Sequence, residues 1–321
     1  MRWFQSRLLL LILLALLIVS VIPLTFMGTI GLDRYEELAQ KTIDLNASQL
    51  NENSLDAMES QAANTANQLA IFLRQRDTDL RMLSNLPRIP EAYLEFAQSR
   101  QGEIWTLTPD TKTEIRFNLP LYREVAFINL AGQEELKIET ECQSYPADCS
   151  VMVSSNVINV SNPADTTFGT EEYFIKAQQL RAGEIYAGRP IGYYIPSVVS
   201  FKGAQLLSGQ RYEGIIRYIT PVYENEAKIG YVTLALDHTH ILEFIHHTDP
   251  TADRPLPAIN PGSNNFVYII SSDGSAIAHV EHSNIAGVDR FGNPVPPFNE
   301  TQPNGPGNFY EMGFLNPVFP E

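Results

Sequence analysis

The chain has 321 residues, enough beyond an apolar N-terminal run for two domains of ordinary size. Its formal net charge of −15 excludes nucleic acid and an anionic lipid surface as natural partners. The acidic residues are spread along the chain rather than gathered in a tail, which fits solubility.

From Leu8 to Ile30 no side chain is charged, and Leu, Ile and Val dominate. At about 1.5 Å per helical residue this stretch crosses a hydrocarbon core of about 30 Å. Arg2 and Arg7 precede it, and Asp33, Glu36 and Glu37 follow it. The positive-inside rule therefore keeps residues 1–7 in the cytoplasm and exports the bulk of the chain. The run is too long for a cleaved signal peptide, and Met27-Gly28-Thr29-Ile30 is a poor small-residue cut site. An uncleaved, single-pass transmembrane helix over 8–30 in the inner membrane is expected.

Residues 32–86 contain no Pro. Leu55, Met58, Ala62, Ala66, Leu69, Phe72, Leu80 and Leu83 recur largely at three- and four-residue steps, the helical period. This predicts a long stalk helix over 31–86, ended by Pro87 and Pro90. Its small residues Ala62, Ala63 and Ala66 suit pairing into a homodimer, and a lone helix packed on its own domain would show the same period.

After Pro120 the pattern turns to strands. Tyr122–Leu130 alternates, Ala131-Gly132-Gln133 makes a turn, and Glu134–Ile138 returns, a hairpin signal. Cys142 and Cys149, outside the cytoplasm, are expected to form a disulfide closing the loop Gln143–Asp148. Glu171–Leu180 reads as a short helix, and Ile185–Tyr194 as a strand interrupted by Gly188 and Pro190. Ile215–Tyr223 and Ile229–Asp237 form the clearest antiparallel pair, and a helix begins near Ile241. Residues 248–264 are Pro-rich and aperiodic, a linker. Phe266–Val280 then repeats the strand–turn–strand shape around Ser272-Asp273-Gly274, suggesting a second module of the first kind.

Glu172-Tyr173-Phe174-Ile175-Lys176-Ala177, Pro221-Val222-Tyr223 and Gly230 through Asp237 carry a family likeness. This order resembles the double Cache family of bacterial extracytoplasmic sensors, over roughly residues 8–321. The family pattern is approximately R-x-W-Y-x-x-A, then a P-V-Y strand, a turn, and a G-x-V strand ending in Asp. The resemblance implies an α+β chain: transmembrane helix, stalk helix and two tandem PAS-like modules with antiparallel sheets. A membrane-distal module over 87–247 would hold the ligand, and 265–321 would begin a membrane-proximal one.

The likeness also implies site residues. Tyr173 and Phe174 take the place of the family's aromatic pair, Tyr193 or Tyr194 of its strand aromatic, and Asp237 of its acid. The family's Arg position falls on Glu171, which would repel a carboxylate ligand. Arg189 and Arg217 are the candidates to restore positive charge. An amino acid, an amine facing Glu171 and Asp237, or another small metabolite all remain open as ligand. Each aromatic also suits the core, and Asp237 also suits a helix cap.

All six histidines fall between 238 and 282, which raises a metal-dependent extracytoplasmic enzyme as the rival. His238 and His240, or His246 and His247, cannot share a helical face at these spacings, and no H-E-x-x-H, P-loop or G-x-S-x-G is present. No catalytic residue, metal or cofactor is therefore assigned. A structural surface protein is the other rival. The expectation is the sensor portion of a bacterial transmembrane receptor, a piece of a longer chain whose kinase, chemotaxis, cyclase or phosphatase output lies elsewhere.

Overall fold

The computed structural model describes residues 2–107, 114–144, 148–196, 210–245, 259–260, 265–266, 268–270, 276–279 and 285. The expected linker at 248–264 lies outside these apart from Ile259–Asn260, as do His246, His247, His282 and residues 286–321.

Helix α1 spans Arg2–Ser84 without a break, and the side chains of residues 2–39 lie outside the described set. Among the described residues no helix is long and apolar enough to cross a membrane. The run 8–30 expected to do so has helical backbone, but its side chains belong to the undescribed stretch.

The chain divides into two compact units, 1–64 and 65–321. In the first, Ile43, Leu45, Leu50, Leu55 and Met58 are exposed, so the periodic residues at 55 and 58 face no core. In the second, the last turns of α1 bury Leu80 and Leu83 and half-bury Leu69, Phe72 and Leu73, a stripe at helical spacing. Pro90 opens α2 (Pro90–Ser99), where its missing N–H costs nothing, and Tyr93, Phe96 and Ala97 form its buried face.

Strands β1 (Gln101–Leu107) and β2 (Glu114–Pro120) pair with each other. The main sheet takes β3 (Tyr122–Asn129), β4 (Glu134–Ser144), β5 (Asp148–Val153), β6 (Tyr186–Ala187), β7 (Ile191–Pro196), β8 (Gln210–Glu224) and β9 (Ala227–Asp237). It is antiparallel with order β5-β4-β3-β9-β8-β6, and β7 also pairs with β8. Helix α3 (Tyr173–Gln178) is shorter than the expected Glu171–Leu180. The strand expected over 185–194 splits into β6 and β7, because Pro190 has no N–H to give a ladder. After β9 come α4 (Thr239–Leu242), β10 (Ile259–Asn260), β11 (Asn265–Phe266), β12 (Ile269–Ile270) and β13 (Ala276–Ala278). The pair β12–β13 lies within the expected second hairpin, whose turn is outside the described residues.

Strand alternation gives the sheet two different faces. One bears Val125, Phe127, Leu136, Ile138, Val232, Leu234, Leu236, Ile216 and Tyr218 and packs with α1 and α2 into the main core. Ala278 and Ile285 join the same core. At one end of the other face, Ile128, Ile219 and Tyr231 lie with Val160 and the Tyr173, Phe174 and Ala177 of α3. The rest of that second face carries Glu124, Lys137, Glu139 and Arg217 beside a small apolar patch of Ile215 and Ala235. It holds the candidate site.

Candidate functional site

Strand β3 carries the feature that opens the site. Tyr122 pairs with Leu236 and Glu124 with Ala235, so Arg123 is the extra residue of a β-bulge. A bulge re-aims a side chain, and here it turns the guanidinium toward the end of β9. Arg123 Nε donates to Asp237 Oδ2 at 2.6 Å. Asp237 Oδ1 accepts from Thr239 N at 2.9 Å, which starts the turn into α4. The residue expected as ligand acid or helix cap thus binds the backbone beyond it and an arginine at once. Burial would push the Asp237 carboxyl up, but Arg123, His240 and the Thr239 hydrogen bonds hold it below the usual carboxylate range.

Next to this pair lies a buried ion network. Arg217 on β8 donates from Nη1 to Glu124 Oε2 at 2.6 Å and from Nε to Glu171 Oε1 at 3.0 Å. Its guanidinium also lies over the Tyr173 ring, 4.6 Å from the centroid. Lys137 on β4 reaches Glu139 at 2.9 Å, Glu134 at 3.6 Å and Glu124 at 3.8 Å. Burial opposes the charge on Glu124, yet Arg217 and Lys137 outweigh it and hold that carboxyl below its ordinary value. Glu134 goes the other way: burial raises it. Glu171, where the resemblance leads one to expect an arginine, is thus paired with an arginine from β8.

A loop closes over this face. Asn162 caps the short turn Pro163–Asp165, accepting from Ala164 N, and Gly169 takes φ +71°, a value suited to glycine. Thr167 Oγ1 donates to Glu124 Oε1 at 2.9 Å, and Tyr193 OH donates to Thr167 O at 2.9 Å. The Phe168 and Tyr193 rings lie 4.8 Å apart. Between loop and sheet is a half-open cleft of about 310 Å3. Phe168, Tyr193 and Ile215 give its apolar lining; Arg123, Glu124, Glu139, Glu141 and Glu213 give its charges, with Thr140, Thr167 and Gly214 between them.

Of the residues expected from sequence, Tyr193 lines the cleft. Arg217, Glu171 and Asp237 hold its lining residues from behind. Tyr173 and Phe174 are buried in the apolar cluster under α3 rather than in the cleft wall. Arg189 is exposed between β6 and β7, and the side chain of Tyr194 lies outside the described residues. Arg123, Glu124, Glu139, Glu141 and Phe168 were not singled out. Two signals pointed to the three glutamates: a lone acid within the apolar run of β3, and charges at every second position of β4, Lys137, Glu139 and Glu141.

The expected disulfide is present: Cys142 and Cys149 are bonded and pair across β4 and β5. The histidines of α4 are engaged with backbone. His238 Nε2 lies 2.6 Å from Ile277 O, and His240 Nε2 lies 3.1 Å from Pro120 O. Burial lowers both, His238 to about 4. Among the described residues no group of three or more His, Cys, Asp or Glu is placed to hold a metal ion.

No family model and no curated protein matches the chain. Solved structures do resemble it. The extracellular domain of a histidine kinase is 15% identical over 73% of this chain and 73% of its own, with a TM-score of 0.47. A domain of a sensory box/GGDEF family protein from Vibrio parahaemolyticus is 16% identical over 73% and 74%, with a TM-score of 0.46. The ligand-binding domain of a Pseudomonas aeruginosa amino acid chemoreceptor, in complex with GABA, is 10% identical over 72% and 76%, with a TM-score of 0.41. By their names these are an extracellular domain, a domain of a sensory-box protein and a ligand-binding domain.

Proposed function

We propose that this chain is the extracytoplasmic sensing portion of a bacterial transmembrane receptor. The cleft beneath Thr167 and Phe168 takes a small-molecule ligand, and α1 carries the response. One observation supports this above others: consecutive residues of β3 serve both parts. Arg123 lies in the cleft wall, and Tyr122 donates to Asp79 of α1 at 2.6 Å. A ligand that fits one setting of the wall better than another shifts the population of both settings, and α1 shifts with them.

The run 8–30 is the membrane anchor in this reading, with residues 1–7 cytoplasmic and the rest exported. The stalk pairs two copies through the stretch that exposes the small residues Ala62, Ala63 and Ala66. The distal module, the linker and the start of a proximal module keep the boundaries set out from sequence.

The test is a thermal-shift screen of metabolites on the full chain in detergent micelles. A ligand at 100 times its Kd stabilises by about 2.7 kcal/mol through mass action. At least one metabolite is expected to raise Tm, and Phe168→Ala to abolish the rise. A broad screen with no binder overturns the reading.

A further inference from the structure

We infer that the cleft selects a small organic cation, an alkyl mono- or diammonium compound without a carboxylate. This rests on the reading of the cleft as the ligand site and adds the chemistry of its ligand. The inference comes from the disposition of charge around a half-open cleft with an apolar patch. Among the described lining residues Arg123 is the one cation, and it is held by Asp237 at 2.6 Å. Arg217, behind the wall, is divided between Glu124 and Glu171, and Lys137 among three glutamates. Lys137 and Arg217 are buried against carboxylates of the protein, and Arg123, about a quarter exposed, donates its Nε to Asp237, so an incoming carboxylate competes with a protein carboxylate at each of the three.

An incoming ammonium meets the opposite situation. Glu139, Glu141 and Glu213 line the cleft, and Glu141 is exposed with no ion pair among the described residues. Among the residues whose side chains are described, and with the groups directly behind the wall, three cations face seven carboxylates: Arg123, Lys137 and Arg217 against Glu124, Glu134, Glu139, Glu141, Glu171, Glu213 and Asp237. A concave site lined by one excess sign concentrates the opposite ion. The paired rings of Phe168 and Tyr193 add a second attraction, since a cation over an aromatic face is drawn to its quadrupole. Ile215 and the two rings suit the alkyl part. A volume of about 310 Å3 is at the small end for ligand pockets, which sets the size class.

A matched probe series isolates charge from chain length: 1,5-diaminopentane, pentylamine, 5-aminopentanoate and pentanoate. Calorimetry on the full chain in detergent micelles, at low and at physiological salt, gives Kd for each. The expected order of affinity is diamine, amine, amino acid, with no binding of pentanoate. Glu141→Gln, which removes an exposed charge and so leaves the fold intact, is expected to weaken the diamine about fivefold, the effect of one partly exposed ion pair. Phe168→Leu is expected to weaken both amines while keeping the apolar lining. Pentanoate or 5-aminopentanoate binding more tightly than pentylamine overturns the cationic assignment and leaves the cleft as a ligand site. Undiminished diamine affinity in Glu141→Gln and Phe168→Leu together overturns it as well. Failure of all four probes overturns it too, and the sensor reading then falls or stands separately on the metabolite screen.

Discussion

Tyr122 and Asp79 are joined by a hydrogen bond of 2.6 Å that ties the start of β3 to α1, one residue before the arginine that enters the cleft. Asp79 also accepts from Arg100 Nε at 2.7 Å and has Arg76 Nε at 3.3 Å, so its charge is compensated even without the phenol. Tyr122→Phe is therefore expected to cost about 1–2 kcal/mol, a hydrogen bond to a charged group with its acceptor still satisfied. Urea denaturation measures that loss. Ligand affinity should stay near wild type, because the cleft wall is untouched. The change in amide exchange along 65–84 on adding ligand should shrink. Unaltered exchange coupling would remove Tyr122 from the route to α1.

Arg217 is the keystone of the charged face. Removing it leaves Glu124 and Glu171 facing each other inside the protein, each less than a tenth exposed. Arg217→Ala is expected to cost about 3–5 kcal/mol, the usual consequence of stripping one partner from a buried ion pair. Much of this is the unpaired carboxylates rather than the lost attraction. Adding Glu124→Gln and Glu171→Gln to Arg217→Ala should recover more than half of it, and urea midpoints across the series report the coupling. A triple variant no more stable than the single one would mean that packing of the guanidinium on Tyr173, not charge, dominates.

The parts of the fold that were legible in sequence are those with a local cause. Alternation set β3, β8 and β9, and the prolines after Leu86 stopped α1. Positions 225 and 226 form the tight β8–β9 turn, with φ 48° and 66°, inside the expected connection Glu224–Lys228. The cleft was only partly legible, because its lining depends on which strands lie side by side. Glu124 and Glu139 pair across β3 and β4, while Ala235 brings β9 between Glu124 and Arg217. No spacing along the chain encodes those adjacencies. Arg123 was hidden for another reason: its direction comes from a bulge, which strict alternation cannot anticipate.

His238 makes stability fall on mild acidification. Its folded pKa is lowered to about 4 by burial, against about 6.5 in the unfolded chain, so the unfolded state binds the extra proton between these values. The neutral ring's contribution is fully present above about pH 6.5 and is lost as pH falls toward 4, in total about 3 kcal/mol. Asp237 and Glu124 add a second decline at lower pH. Both are held below their ordinary values, so their contribution is present above the unfolded carboxylate range and lost as pH falls below that range and through their lower folded values. Glu134, raised by burial, partly offsets that second decline. His238→Asn keeps a donor toward Ile277 O without titrating near pH 5. Urea denaturation between pH 7 and 5 should therefore show a flatter slope in the variant, and equal slopes would mean that another group sets the response.

The disulfide braces the edge that carries Glu139 and Glu141. Cys142 and Cys149 close a loop with a sequence separation of 7, and Arg123 Nη1 lies 3.8 Å from Cys142 Sγ. Constraining so short a loop in the unfolded chain is worth about 2–3 kcal/mol. Replacing both cysteines by serine is expected to lower stability by that amount without unfolding the sheet, because β4 remains paired with β3 from Glu124 to Ile128. The sharper expectation concerns the cleft. Loosening the β4–β5 edge lets Glu141 sample more positions, so a cationic probe should bind more weakly in the double serine variant, with an entropic loss visible in calorimetry. Binding as tight as wild type in a measurably destabilised variant would confine the disulfide to stability alone.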